Sequence, residues 1–250
     1  MRLDTPAGPV RLRPHDRLSH ASAALVYGAP LPRSANGGLH ISAPLESAKI
    51  RRTGVISHRD TEPRQVVRGI PVSGPETLFV ELGETLAVDD LVAIGDFLVL
   101  DPRFREPGRP WTTIGALQTA TRAKRRGVVR AREALELVRD GVESPMETAL
   151  RLMLLREGLP EPVCGYELVT SRREWVGWFD LAWPEARVLG EYDGDEHRTS
   201  DVQYERDIRR YDLAHEDGWR TVRVRKAGMR RANRAETVAR FRRALAAARR

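Results

Sequence analysis

The chain has 250 residues, 41% hydrophobic and 31% charged, which suits one large domain or two small ones and excludes collagenous, low-complexity and wholly disordered chains. Its apolar run Leu91 to Leu100 is broken by Gly95 and Asp96 and is too short to cross a bilayer, the N-terminal residues lack a basic-then-apolar leader, and the single cysteine, Cys164, cannot close an internal disulfide. A soluble, cytoplasmic protein without a membrane partner is the expectation, and the uneven charge, +7 overall but +11 over residues 220–250, suits a polyanionic partner, with a solvated Arg-rich helix as the plainer alternative.

Residues 1–17 are rich in Pro and Arg without periodicity and read as a loose opening segment. Ser19 to Tyr27 predicts a short helix stopped by Gly28 and Pro30. Alternating runs at Leu39–Ser42, Gly54–His58 and Gln65–Val72 predict strands. Ser73-Gly74-Pro75-Glu76 has the form of a capping box opening a helix through Leu82, and a second helix is expected from Val88 to Leu100. These elements make an N-terminal α/β unit over residues 1–100. Asp101 to Trp111, with three prolines and a glycine, reads as a linker, and residues 112–142 as bridging helices.

Residues 143–250 form the second expected domain. Ser144-Pro145-Met146-Glu147 starts a helix with an apolar stripe of Met146, Leu150, Met153 and Leu154, closed by Gly158 and Pro160. A strand over Pro162–Thr170 and a hairpin of Val176–Trp183 with Arg187–Tyr192 follow. Strand alternation puts Trp178, Asp180 and Ala182 on one face and Phe179, Leu181 and Trp183 on the other, while Leu189, Glu191 and Asp193 share a face on the returning strand. Asp180, Glu191 and Asp193 can therefore converge. Carboxylates so placed repel one another, and a hard cation such as Mg²⁺ would relieve them, as would pairing with local arginines. His197, after the Asp193-Gly194 turn, is placed to relay a proton, or is an ordinary loop residue. A helix from Asp201 to His215 carries Arg206 and Arg210, and a final strand, Trp219–Arg225, sets Arg223 and Arg225 opposite Val222 and Val224. These four arginines are the candidate phosphate contacts. Val238, Phe241 and Leu245 give the last helix an apolar seam.

The ordered run ESPMETALR, GLPEP, FDLAWPEARVLGEYDGDEHR and ERDIRRYDLAHEDGWRTVRVR resembles the DUF 559 family, related to very-short-patch-repair endonucleases and the PD-(D/E)XK nuclease superfamily. The upstream SHASAALVYGAPLP and GIPVSGPETLFVEL are similar to long actinobacterial proteins associated with abortive-infection type IV antitoxins. The resemblance implies an α+β, restriction-endonuclease-like domain with a mixed central sheet between helices, and hydrolysis of DNA phosphodiesters with Mg²⁺ or Mn²⁺. It makes Asp180 and Glu191 metal ligands, with Asp193 beside them, and matches Glu147 to the acid of the first helix and His197 to the histidine after Asp-Gly. Glu147 is equally suited to a capping box with Ser144. Two positions depart from the pattern: Asp193 stands where lysine is usual, and Cys164-Gly165 where a glutamine is expected. The functional expectation is a metal-dependent endodeoxyribonuclease of repair or defence. The alternative is a catalytically inactive nuclease-fold protein that binds nucleic acid or regulates within a toxin–antitoxin-like system, as a homodimer or with a partner.

Overall fold

The computed structural model describes residues 1–3, 8–35, 37–194 and 201–247, side chains of 2, 3, 201–204 and 206 excepted. The fold is α+β, in two compact units, Met1–Arg139 and Asp140–Arg250, each with its own mixed sheet. Among the described residues no helix is long and apolar enough to cross a membrane.

In the first unit, β1 (Arg2–Leu3) pairs with β2 (Val10–Arg11), and β3 (Arg17–Leu18) enters the main sheet ahead of α1 (His20–Tyr27). β4 (Leu39–Pro44), β5 (Val55–Asp60), β6 (Arg64–Val67) and β7 (Ile70–Ser73) complete five strands in the order β5-β4-β3-β7-β6. The opening segment thus supplies the central strand, which two residues cannot announce by periodicity. The strand expected over Gln65–Val72 is a hairpin, because Arg68 and Gly69 both take positive φ, 50° and 76°, and reverse the chain.

Helices α2 (Pro75–Leu82), α3 (Val88–Val99), α4 (Ile114–Ala120) and α5 (Val128–Leu135) belong to the same unit. The capping box expected at Ser73 does not form: Gly74 is the N-cap, and the Ser73 hydroxyl donates to Glu81 at 3.0 Å instead. Residues 101–111 are likewise folded into this unit. Trp111 meets Tyr27 edge-on at 4.9 Å, and Arg109 lies 4.4 Å above the Phe97 ring and donates to the Phe97 carbonyl at 2.7 Å. The division of the chain falls later, at Arg139/Asp140.

The second unit runs α6 (Pro145–Arg156), β8 (Val163–Val169), β9 (Trp175–Trp183), β10 (Val188–Asp193), α7 (Asp201–Glu216), β11 (Arg220–Arg225) and α8 (Arg234–Ala247). The sheet order is β11-β10-β9-β8, antiparallel except for the parallel pair β10/β11. One apolar layer joins Leu150, Leu154, Leu181, Trp183, Val224 and Phe241; the other joins Leu168, Val176, Phe179, Ala182, Leu189 and Ala214. Helices α6 and α8 therefore cover one side and α7 the other. Phe179 falls with Ala182 rather than with Leu181 and Trp183, so strict alternation along β9 breaks around Asp180, contrary to the sequence reading. Gly165 sits opposite that break with φ 56°, and a Cβ there would lie 2.5 Å from the Gly141 carbonyl oxygen. The glycine at the position expected to be glutamine is needed for this backbone approach.

Candidate functional site

The α7 side of the second sheet carries most of the acids and arginines singled out by the sequence. Leu189 faces α7, and Glu191 and Asp193 follow it on the same side, as period two requires. Glu191 is buried, 7% exposed, and both its oxygens are held: Arg210 Nη2 donates to Oε1 at 2.6 Å and Oε2 at 2.8 Å, and the Tyr211 hydroxyl donates to Oε2. Burial pushes the Glu191 carboxyl above its ordinary pKa, while Arg210, Tyr211 and Arg223 pull it down. Arg210 itself is raised, which favours its charged form, with Glu191 the largest raising influence against desolvation. At these distances we take the pair as ionised, since each partner supplies the charge that desolvation of the other demands.

Arg210 is fixed from several sides. Its Nη1 donates to the Trp178 carbonyl at 2.8 Å, and its guanidinium lies 4.7 Å from the Phe179 ring and 5.0 Å from Tyr211. A Cβ at Gly177, where φ is 143°, would come within 2.9 Å of Arg210 Cδ, so glycine makes room for the side chain. The expectation that Arg210 reaches outward to phosphate is therefore corrected: it is turned inward onto an acid. Arg206, its expected companion, has a side chain outside the described residues.

Asp193 accepts from Arg223 Nη2 at 2.9 Å and from Arg225 Nε at 3.3 Å, with both arginines exposed on β11 and Arg223 lying 4.7 Å over Tyr211. Asp180 is half-buried and accepts the Tyr192 amide at 2.7 Å. The last register pair of β9 and β10 is Leu181 with Gly190, so Asp180 and Glu191 are the next residues along the two strands. Glu147 accepts the Glu143 amide at 2.9 Å and donates its own amide to Ser144 Oγ at 3.2 Å; these contacts belong to the start of α6. His197 lies outside the described residues.

A divalent ion of the Mg²⁺ type needs carboxylate oxygens converging at about 2.1 Å on one point. Asp180, Glu191 and Asp193 do not bring three carboxylate oxygens within 4.8 Å of one another. Among the described residues the one group of three His, Cys, Asp or Glu side chains whose ligand atoms lie within 4.8 Å of one another is His20, His40 and His58, in the first unit. Glu191 and Asp193 are instead paired with arginines, though with Arg210, Arg223 and Arg225 rather than the Arg187, Arg198 or Arg206 that spacing offers, and Asp180 accepts a backbone amide. That histidine group was missed in the sequence because its members lie 18 or more residues apart on three elements, without a short metal-binding motif. Trp183, buried, donates to the Pro160 carbonyl at 2.8 Å and belongs to the core; Trp175 is 58% exposed and donates to Glu167 at 2.9 Å.

Two uncharacterized proteins of Mycobacterium tuberculosis are each 36% identical to this chain over 101 residues, 40% of the chain and 36% of either relative. The matched region thus spans little more than a third of the relatives' own length. No family model matches the chain, and no solved structure matches it.

Proposed function

We propose that the second unit binds nucleic acid through its phosphates and acts as a binding or regulatory module rather than as a phosphodiesterase. The observation that carries this reading is the engagement of Glu191 by Arg210 and Tyr211, which ties the central acid of the sheet to partners from the same chain. Asp193, where the resembled family has lysine, is likewise occupied, by Arg223 and Arg225. The mixed sheet of this unit lies between helices, the arrangement that the resemblance implies, which supports a nuclease-type framework. Exposed Arg220, Arg223 and Arg225 on β11, with Arg240, Arg242 and Arg243 on α8, supply the positive surface for a phosphate backbone.

Metal-dependent DNA hydrolysis is the second reading, favoured by the placement of Asp180 and Glu191 as consecutive cross-strand neighbours beyond Gly190. Glu191 would have to exchange Arg210 for the ion. The two readings separate in one experiment, with wild type and Asp180→Asn incubated with supercoiled plasmid in Mg²⁺ or Mn²⁺ while binding to duplex DNA is followed over a salt series. Expected are binding without nicking, unchanged in Asp180→Asn, and a log–log salt slope smaller by about 1 for Arg223→Ala or Arg225→Ala. Nicking by wild type that Asp180→Asn abolishes would replace the proposal with the second reading. Absence of DNA and RNA binding at low salt would remove both.

A further inference from the structure

Three histidines of the first unit meet at one place although 38 residues separate the first from the last. His40 on β4 and His58 on β5 share a sheet face, because in this parallel pair His40 stands beside Ile56 and Ser42 beside His58. His40 Nδ1 and His58 Nε2 face each other at 3.0 Å. His20, the first residue of α1, lies over them, its ring centroid 3.9 Å from that of His58 and 5.2 Å from that of His40. The start of α1 is tied to β4 by two bonds: the Ser19 amide donates to the His40 carbonyl at 3.1 Å, and the His40 amide to Ser22 Oγ at 2.8 Å.

The hydrogen bonding of His20 singles out one ring nitrogen. Its Nδ1 contacts Ser19 Oγ at 3.1 Å, while its Nε2 is buried without a hydrogen-bond partner, in a residue only 4% exposed. Ser42 Oγ, on the same face as His40 and His58, is a second buried polar atom with no hydrogen-bond partner. Orphaned polar atoms of this kind are costly and call for an explanation such as an ion. His20 also holds φ 47°, uncommon for a residue with a side chain, in a helix of eight residues; its amide donates to buried Glu81 at 3.0 Å. A cleft of about 570 Å³, lined by His20, His58 and Glu84 among others, gives access from solvent.

We propose that His20, His40 and His58 form a binding site for an imidazole-preferring divalent transition ion, Zn²⁺ being the natural occupant. Imidazole nitrogens are the preferred ligands of such ions, and tetrahedral Zn–N bonds of about 2.0–2.1 Å set ligand nitrogens roughly 3.3 Å apart, close to the His40–His58 spacing. The Ser19 contact to His20 Nδ1 orients the ring as an outer partner does at such sites. The rings stand nearly parallel, 10–21° between planes, so their lone pairs are not yet aimed at one point. Binding turns the His20 ring about its Cβ–Cγ bond and shifts the hydrogen shared by His40 and His58 to the other nitrogen of its own ring by tautomerisation, which frees both facing nitrogens as ligands. The fourth position opens to the cleft, where Glu84 Oε1 lies 3.8 Å from His20 Nε2.

Titration of the full chain with Co²⁺, followed by its visible d–d absorption and then by displacement with Zn²⁺, tests the assignment. The expected result is saturation at one equivalent with a tetrahedral-type spectrum, and affinity lowered by about 100-fold or more in His58→Gln and His20→Ala. Far-UV circular dichroism checks that each variant is folded; His58 is only half-buried, so its variant stands even if His20→Ala does not fold. Asp180→Asn is expected to bind Co²⁺ as wild type does. No cobalt spectrum in wild type, or binding that survives His58→Gln, would overturn the proposal. Binding lost in Asp180→Asn alone would assign the ion to the other unit and overturn it equally.

Discussion

Glu191 is 7% exposed, and a carboxylate so deeply placed persists only with a partner that replaces its lost water. Arg210 supplies that partner at 2.6 Å, and the aromatic faces of Phe179 and Tyr211 hold Arg210 in place. Removing one member of such a pair strands the other's charge. Arg210→Ala is therefore expected to cost about 3–5 kcal/mol in urea denaturation, whereas Arg210→Ala combined with Glu191→Gln, which removes both charges and strands neither, costs markedly less. Equal losses from the two variants would show that packing rather than charge dominates. Glu147 shows how one residue type serves two readings at sequence level: Ser144, Pro145 and Glu147 are at capping spacing, and the described contacts of Glu147 are with that helix start. Asp193 is a different case. Its identity could be read directly, but its pairing with Arg223 and Arg225 required the parallel register that sets Asp193 beside Arg225.

At the scale of elements, the second unit was legible because its helices and strands carry strong boundary signals. Ser144 and Pro145 start α6, Gly158 follows it, and Gly218 precedes β11. The first unit was less legible, since β3 has two residues and the turn at Arg68-Gly69 places an arginine in the left-handed region, where sequence rules look for Asn or Gly. Docking of α8 depends on Gly190. A Cβ there would lie 2.9 Å from Phe241 Cε1 and 3.3 Å from Leu181 Cβ, so β10 and α8 approach through the missing side chain. Gly190→Ala is expected to cost about 1–3 kcal/mol by overpacking, read as a lowered denaturation midpoint with an unchanged slope. A neutral result would mean that the Phe241 ring yields without loss.

For the whole molecule, the division at Arg139/Asp140 assigns the histidine cluster to one unit and the arginine-compensated acids to the other. The +11 charge of residues 220–250 also belongs to the second unit. Two separately produced fragments, 1–139 and 140–250, should divide the properties accordingly: the first retains the cobalt spectrum, and the second retains salt-dependent nucleic-acid binding. Loss of both properties in fragments that are folded by circular dichroism would show that the sites require the joined chain. The expected linker at residues 101–111 failed as a boundary because proline and glycine mark a break in regular structure, not a break in packing. Trp111 and Arg109 anchor that segment against Tyr27 and Phe97.

By itself, the sequence determined the α+β class, most helices, the hairpin of the second unit, and the acids and arginines of its α7 side, because periodicity, caps and turn residues are local properties of the chain. Only the tertiary structure decided what those residues do to one another. Whether Glu191 faces an ion or an arginine depends on the seating of α7 over Gly177, and the meeting of His20, His40 and His58 depends on a parallel strand pair and a helix start brought together across 38 residues. Long-range pairing of this kind is settled by burial and charge compensation over the whole fold, which short-range spacing does not encode.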